Sequence, residues 1–226
     1  MKLHKFYLGD TPLTHDFWMD DLDLFHQWTR VLRFDVDREV QLFNSLGEDR
    51  LYKIIKIGNN AVHVELVTEM MPQLPDREVY LCFSILKKDK NDWVLQKGTE
   101  LGVSHFVPLL CDRTEKTGWN SERAQKIVIE AAEQSGRSDI PRLREPLSPQ
   151  KFIEEMKDKV EIVIAEQSNQ EYEKSADPVA VLIGPEGGWT DSEKQFFIDN
   201  DIKHIGLSKF TLRAETAAIT VVALVQ

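Results

Sequence analysis

The sequence predicts an α/β protein in which a small amino-terminal β domain precedes a larger domain built on a parallel sheet. Residues 79–86 and 179–183 are nearly continuous apolar runs, which is typical of strands buried on both faces. From residue 79 onward, strand-like and helix-like segments alternate, as they do in β-α-β units. Residues 61–67 instead alternate between apolar and polar side chains, which indicates a half-exposed antiparallel strand.

The amino-terminal domain is expected to span residues 1–72. Short strand-like runs at residues 40–43, 50–57 and 61–67 are separated by turn residues, and this spacing predicts a small β-barrel. One helix is predicted over residues 21–32, where apolar side chains recur at roughly helical spacing. Residues 70–75 contain two prolines and no periodicity, so we interpret them as a linker to a second domain over residues 76–226.

The second domain is predicted to contain five strands and five helices. Gly102 is placed just after a helix, where a left-handed residue ends it. The predicted strands lie at residues 78–86, 105–110, 160–165, 179–183 and 202–207, and the predicted helices at residues 90–101, 120–135, 148–157, 191–199 and 216–226.

Composition excludes several classes of protein. The net charge is −10, with eight Lys and Arg against thirteen Asp and Glu in residues 1–76, and twenty against twenty-five in residues 77–226. Neither part has the basic field typical of simple nucleic-acid binding, so RNA contacts must rely on local clusters. Cys82 and Cys111 form no metal motif, which favours a reduced, cytoplasmic protein without a metal. The charged first sixteen residues predict no secretory leader, and no apolar stretch is long enough to span a membrane.

A glycine-rich turn follows the apolar run at residues 179–183. Residues 184–188 read GPEGG, and Thr190 with Glu193 forms a capping box for the next helix. Strand, turn and helix in this order place the turn where ligands bind in α/β proteins. The turn lacks the lysine of a phosphate-binding loop and the dinucleotide fingerprint, and Glu186 suits a neutral or cationic ligand. A purely structural turn is the alternative.

Together with residues 212–217 (LRAETA), the GPEGG turn closely resembles the signature of the SPOUT class of methyltransferases, and within it the RsmE family, which methylates N3 of a uridine in 16S ribosomal RNA. Residues 96–103 (QKGTELGV) and 130–137 (EAAEQSGR) resemble two further family motifs. His26 with Val31, Leu32 and Arg33 resembles an element of the family's PUA-like domain. The resemblance covers the whole chain, with firmer motifs after residue 79.

The resemblance implies a fold and a cofactor. It implies a carboxy-terminal SPOUT-type α/β domain with a trefoil knot, preceded by a PUA-like β-barrel that binds RNA. It also implies a homodimer, for which the apolar terminal helix is a candidate face, although that helix is equally compatible with plain core. S-adenosylmethionine would be bound by Ile183, Gly184, Pro185, Glu186, Gly187, Gly188, Gly206, Leu207, Ser208 and Leu212.

Two residues are predicted to be catalytic. The proton on N3 of uridine must leave, so the reaction needs a base or donors that stabilise the uridine anion. Arg213 is predicted to stabilise the anion through its forked donors, and Glu215 to orient Arg213 or to act as the base. The alternative is a structural Arg213–Glu215 ion pair that caps the last helix. RNA contacts are predicted at Lys5, Arg30, Arg33, Arg113 and Arg137, with Arg38 as a further candidate, against the alternative of ordinary surface charge.

The resulting hypothesis is S-adenosylmethionine-dependent methylation of N3 of one uridine in 16S ribosomal RNA. Because the chain is acidic, we expect the assembled small subunit, rather than naked RNA, to be the substrate. Two alternatives stay open at this point. The same fold can methylate another RNA base, and a non-catalytic RNA-binding ribosome-assembly factor can use the same scaffold.

Overall fold

The computed structural model describes residues 3–115, 118–167, 172–173 and 178–226, with the backbone but not the side chain of Lys88. These residues divide into two compact units. The first comprises the chain up to Leu74 together with Ala132–Asp139, and the second comprises Pro75–Ala131 and Ile140–Gln226.

The first unit is built on a five-stranded mixed sheet. Its strands are β1 (His4–Tyr7), β2 (Asp16–Met19), β3 (Glu39–Phe43), β4 (Asp49–Ile57) and β5 (Val62–Glu69), in the spatial order β1-β3-β4-β5-β2. Only the β1–β3 pair is parallel. The strand predicted from alternation at residues 61–67 is confirmed as β5, which pairs antiparallel with β4. Trp28 and Tyr52 are fully buried in the core of this unit.

The helix predicted over residues 21–32 is confirmed only in part. Asp21 caps a short α-helix, α1 (Leu22–His26), and the chain continues as a π-helical turn over Gln27–Val31. In that turn the amide of Leu32 donates to the carbonyl of Gln27 at 2.8 Å, five residues back. A π-turn holds more residues than an α-turn, so α-helical periodicity does not reveal it.

The second unit is built on a six-stranded sheet in which every pair is parallel. Its strands are β6 (Val79–Ser84), β7 (His105–Leu109), β8 (Arg142–Leu143), β9 (Glu161–Glu166), β10 (Val179–Ile183) and β11 (Lys203–Gly206), in the spatial order β11-β9-β10-β6-β7-β8. The predicted α/β fold with a parallel sheet is therefore confirmed. The two apolar runs at residues 79–86 and 179–183 form the neighbouring central strands β6 and β10.

Helices cover both faces of this sheet. They are α2 (Lys88–Glu100), α3 (Ser121–Ser135), α4 (Pro149–Met156), α5 (Asp191–Asp199) and α6 (Ala214–Val225). Because strand side chains alternate between faces, Leu81 and Phe83 pack with residues of α2, α3 and α6, whereas Cys82 packs with residues of α4 and α5. The carboxyl edge of the sheet is left open to loops. Within the described residues, no helix has both the length and the apolar character needed to cross a membrane.

Candidate cofactor and substrate site

A cavity of about 730 Å³ opens where β10 and β11 end and α6 begins. Two loops form most of its wall: the loop from Gly184 to Thr190 after β10, called here the glycine loop, and the loop from Leu207 to Arg213 after β11, called the second loop. The volume lies in the range of small-molecule sites. The lining residues include Lys90, Glu166, Gln167, Ile183, Gly184, Pro185, Glu186, Gly188, Trp189, Lys194, Leu207, Ser208, Phe210, Thr211, Leu212, Arg213 and Ala217.

The start of the glycine loop has no room for a side chain at Gly184. A Cβ atom on Gly184 would lie 2.8 Å from Cε2 and 3.0 Å from Nε1 of Trp189, which is buried. Gly188 has φ +70°, a conformation that glycine adopts without strain. The backbone is therefore exposed to the cavity, and a ligand can approach it closely.

The far end of the glycine loop is held by hydrogen bonds from another part of the chain. Arg113 donates through Nη1 to the carbonyl oxygens of Gly187 at 2.8 Å and Trp189 at 3.4 Å. Glu193 is fully buried, accepts from the amides of Thr190 and Asp112, and completes the predicted capping box. The loop is thus fixed by groups that do not enter the cavity.

The second loop is anchored by one side chain. Gln167 donates through Nε2 to the carbonyl of Lys209 at 2.9 Å and accepts through Oε1 from the Thr211 hydroxyl at 2.8 Å. Between these anchors, Phe210 is 67% exposed at the cavity wall, and the ammonium of Lys209 lies 5.1 Å from the centre of its ring. The loop therefore presents an aromatic ring at the cavity mouth.

Lys90 of α2 carries the main charge contacts of the site. Its ammonium donates a short hydrogen bond to Glu186 of the glycine loop and lies 3.3 Å from Oε2 of Glu215 in the first turn of α6. This second contact is an ion pair without hydrogen-bond geometry, because the buried Oε2 atom has no hydrogen-bond partner among the described residues. The bond from Lys90 lowers the pKa of Glu186, and the same bond raises the pKa of Lys90.

Arg213 is the N-cap residue of α6 and is exposed at the same cavity. Within the described part of the chain, its side chain makes no ion pair or hydrogen bond, and Glu215 pairs with Lys90 instead. The alternative of a structural Arg213–Glu215 ion pair is therefore not what the structure contains. The five guanidinium donors of Arg213 stay available to a ligand.

Most of the predicted cofactor residues converge on the cavity. Gly187 and Gly206 lie in the same two chain segments but do not line the wall, and Glu215 lies behind the wall against Lys90. Lys90 was missed by sequence reasoning. One signal was available, since two glutamates predicted near one cavity need a cation to balance them, but nothing local identified which lysine supplies it.

Two of the predicted RNA contacts are buried. Lys5 is 7% exposed, and its ammonium donates to Asp49 at 2.6 Å, to the carbonyl of Gly136 at 3.0 Å and to Ser138 at 2.8 Å. Arg137, also 7% exposed, donates to both carboxylate oxygens of Asp139 at 2.8 and 2.7 Å. Burial and these hydrogen bonds withhold both cations from a phosphate, so we leave them out of the RNA surface proposed below.

Arg30 and Arg33 are exposed on the first unit. Arg30 lies in the π-helical turn, and Arg33 follows it with φ +53°. Arg38 lies nearby in sequence, with its guanidinium 4.9 Å from the centre of the Phe34 ring. A left-handed backbone conformation is uncommon for an arginine, and this one follows an irregular helix. Both features make the segment a candidate surface for binding.

The described residues contain no group of three or more His, Cys, Asp and Glu side chains that would hold a metal ion. The cavity instead combines exposed backbone, apolar side chains, two carboxylates and cations. Such a lining fits a ligand that has an apolar part, a positive charge and hydrogen-bonding groups.

Comparison with known proteins assigns the class. Residues 72–226 match the model of the RNA methyltransferase domain. The structure is similar to that of a ribosomal RNA small subunit methyltransferase E from Neisseria gonorrhoeae bound to S-adenosylmethionine, with a TM-score of 0.88, 26% identity and coverage of 98% of this chain and 96% of the other. It is also similar to a Legionella pneumophila methyltransferase with bound S-adenosylmethionine, with a TM-score of 0.87, 25% identity and coverage of 99% and 96%.

Curated relatives narrow the class further. The ribosomal RNA small subunit methyltransferase E of Bacillus subtilis is 34% identical over 86% of this chain and 83% of its own length. The enzyme of the same name from Rickettsia conorii is 30% identical over 89% of this chain and 85% of its own length. The chain belongs to the ribosomal RNA small subunit methyltransferase E family, as its motifs predicted.

Proposed function

We propose that this protein uses S-adenosylmethionine to methylate N3 of one uridine in 16S ribosomal RNA. The observation that carries the proposal is the meeting of a glycine loop and an unpaired arginine, Arg213, at one cavity. The names of the relatives and the cofactor in two similar structures support the choice of reaction.

The cavity fits the cofactor in chemistry as well as in size. Bound S-adenosylmethionine supplies a methyl group made electrophilic by its positively charged sulfonium. Glu166 and Glu186 provide negative charge at the lining, whereas a phosphate-binding lysine is absent from the glycine loop. We propose that Gly184, Pro185 and Gly188 offer their backbone to the cofactor. The predicted binding set in Ile183–Gly188, Gly206–Ser208 and Leu212 is kept as part of this proposal.

Arg213 is proposed to bind the uracil ring. Loss of the N3 proton leaves negative charge on the two carbonyl oxygens that flank N3, and a guanidinium that donates to one of them stabilises this charge while it leaves N3 open to the methyl group. Its position at the N-terminus of α6 adds the positive end of the helix dipole to the same place. Both effects stabilise the uridine anion, which is the nucleophile.

Glu215 is proposed as the acceptor of the N3 proton. Its Oε2 atom makes no hydrogen bond among the described residues, and because the side chain lies behind the cavity wall, the proton would reach it through a water molecule. The other predicted role, orientation of Arg213, has no contact to support it among the described residues.

The first unit is proposed to be a PUA-like domain that holds the RNA through Arg30 and Arg33, with Arg113 as a contact from the second unit. Exposed arginines at an irregular turn support this assignment, but the acidic chain makes a broad electrostatic surface improbable. We therefore propose that the assembled small subunit is the substrate, because a preformed surface contributes shape as well as charge. The target base must leave its stack to reach the methyl group.

We also propose that the carboxy-terminal segment is knotted and that the protein acts as a homodimer. The convergence of the glycine loop and the second loop on one cavity supports the knot. Most of α6 packs into the core through Ala218, Val221, Val222 and Val225, so its share of a dimer face is limited to exposed side chains such as Leu224. Analytical ultracentrifugation tests the dimer.

Nucleoside mass spectrometry tests the reaction. Small subunits that lack the modification are incubated with the protein and S-adenosylmethionine, in parallel with the Arg213→Ala variant and with protein-free 16S RNA. The proposal predicts 3-methyluridine with the wild type on subunits, a large loss in the variant and much less product on free RNA. Methylation of a different nucleoside would reassign the substrate, and cofactor-independent RNA binding without methylation would favour an assembly factor.

A further inference from the structure

Lys90 joins two chain segments that sequence reasoning treats separately. Its ammonium contacts Glu186 in the glycine loop, 96 residues away, and Glu215 at the start of α6. The side chains of Lys90 and Glu215 are 22% and 16% exposed, so the lysine is largely enclosed. One cation that belongs to neither loop therefore contacts both carboxylates, that of Glu186 at the cavity and that of Glu215 behind its wall.

The same two carboxylates are potential partners of Arg213. Glu215 lies two residues after Arg213 at the N-terminus of α6. Glu186 lines the same cavity, and the charge of Arg213 contributes to lowering the pKa of Glu186. An arginine beside two glutamates ordinarily forms an ion pair with one of them, because guanidinium and carboxylate match in shape and charge. Here Arg213 has no such pair within the described chain.

We propose that Lys90 is a positioning residue: by engaging the carboxylates of Glu186 and Glu215, it keeps the guanidinium of Arg213 unpaired and available to the RNA substrate. This proposal rests on the function proposed above, in which the side chain of Arg213 has to be unpaired so that it can bind the uracil ring. Without Lys90, the carboxylates of Glu186 and Glu215 lose the one cation that contacts both of them.

Among the lysines whose side chains the structure describes, none replaces Lys90 in this role. Lys87 acts on Glu186 from a distance, and Lys194 lines the cavity, but neither makes an ion pair with Glu186 or Glu215 in the described structure. Lys90 also comes from α2, which packs against α6, so its position is fixed by the core. The arrangement is therefore specific to one side chain.

The test combines a structural and a kinetic measurement on the full-length protein. In Lys90→Met, which keeps the length of the side chain but removes its charge, Arg213 is expected to pair with a carboxylate. ¹⁵N NMR of arginine side chains detects this pairing as slower exchange of one Nε–H proton with water and slower rotation of the same guanidinium about its bonds to Cζ. The signal is assigned to Arg213 by its loss in Arg213→Lys. Methylation by Lys90→Met is expected to show a kcat/KM lower by about tenfold or more, the size of one lost charge-assisted hydrogen bond.

Two further variants separate positioning from direct contact. Lys90→Arg keeps a cation between the carboxylates and is expected to restore most of the activity. Lys90→Met combined with Glu186→Gln removes one competitor for Arg213 and is expected to recover the fast Arg213 signal, which is measured without cofactor or RNA. A lysine that itself touched the substrate or cofactor would not be replaced by removing a glutamate.

The NMR result decides the inference independently of the reaction. An Arg213 signal unchanged by Lys90→Met overturns the positioning role, even if activity falls. If the Arg213 signal changes in Lys90→Met but the wild type yields no 3-methyluridine, the positioning role is supported and the proposed reaction is refuted. Unchanged activity in Lys90→Met, with active wild type, also overturns the inference.

Discussion

Gly184 lies against the indole of Trp189, so close that a Cβ atom on the glycine would be 2.8 Å from Cε2. Trp189 is buried and packs edge-on against Phe197 of α5, with ring centroids 5.0 Å apart. The indole therefore has little freedom to withdraw. This contact fixes where the chain leaves β10 and where the wall of the cavity begins.

Gly184→Ala should weaken both the fold and cofactor binding. A methyl group in this position overpacks the site, which typically costs about 1–3 kcal/mol, and the displaced glycine loop should lose affinity for S-adenosylmethionine. Thermal unfolding and isothermal titration calorimetry measure the two effects. Gly118→Ala is the matched control, because its Cβ would meet nothing within 4 Å. Equal behaviour of the two variants would remove the steric explanation.

Arg113→Ala should loosen the glycine loop from its far end. The variant loses the bonds to the carbonyls of Gly187 and Trp189, and the affinity for S-adenosylmethionine should fall about tenfold, the size of one hydrogen bond from a charged donor. Titration calorimetry without RNA measures this effect. Arg144→Ala, which removes an ion pair with Glu155, controls for the loss of a surface charge.

The same variant tests the predicted RNA contact. If Arg113 also binds a phosphate, its removal should raise the KM for RNA and reduce the salt dependence of RNA binding, in addition to lowering the cofactor affinity. A loss confined to cofactor affinity would assign Arg113 to the loop alone.

The parts of the fold that sequence predicted are those that local patterns encode. Thr190 and Glu193 are three residues apart, so their capping box can be predicted from the sequence. The apolar run at Val179–Ile183 likewise predicts a buried strand. The four-residue strands β1 and β2 are too short to carry a periodic signal. The sequence accordingly predicts β3, β4 and β5 to within two residues, but neither β1 and β2 nor the two-residue strand β8 of the second unit.

The parts that were missed depend on distant residues. The pairing of Lys90 with Glu186 spans 96 positions, and the burial of Lys5 depends on Ser138, 133 positions away. Burial is decided by tertiary packing, and a lysine near the start of a chain reads as surface charge by default. Family motifs identify which loops form the cavity, whereas the charges behind those loops emerge only from the structure.

Lys5→Met should destabilise the first unit strongly. It leaves the Asp49 carboxylate, whose side chain is fully buried, without its cation, and breaking a buried pair on one side costs about 3–5 kcal/mol. Urea unfolding measures the loss. Lys53→Met is the control in the same unit, because its pair with Asp37 is largely exposed, and such pairs contribute about 0–1 kcal/mol.

A second variant distinguishes lost charge balance from lost packing. Adding Asp49→Asn to Lys5→Met removes the unpaired charge and keeps one oxygen that can accept from either Gln41 or Ser138, which donate to different oxygens of Asp49. Stability should recover in part. A double variant less stable than Lys5→Met would show that the hydrogen bonds from Gln41 and Ser138 stabilise the buried carboxylate even without the lysine.

Mild acid should destabilise the second unit through His105. This histidine stacks on Tyr80 with ring centroids 4.0 Å apart and contacts Oε1 of Glu78 through Nε2 at 2.6 Å. Burial lowers the pKa of His105, and this effect outweighs the carboxylate of Glu78, which raises it; Arg142 and Arg144 lower it further.

The sign of the pH dependence follows from that direction. The pKa of His105 is lower in the folded than in the unfolded protein, where it is about 6.5, so the unfolded chain binds the proton more readily. The contribution to stability is present above that value and decreases as the pH falls below it. Glu78, whose pKa is also lowered in the folded protein, adds a further loss at more acidic pH, below the usual range of a glutamate.

Urea unfolding at a series of pH values from 7.5 to about 5 measures the effect. The wild type should lose stability across this window, and His105→Gln, which keeps a donor for Glu78 but cannot gain a proton, should show a flatter profile. His63→Gln is the control, because the imidazole of His63 pairs with the exposed carboxylate of Asp16 in the first unit. If the stability of His105→Gln depends on pH as steeply as that of the wild type, the pH dependence is due to other groups.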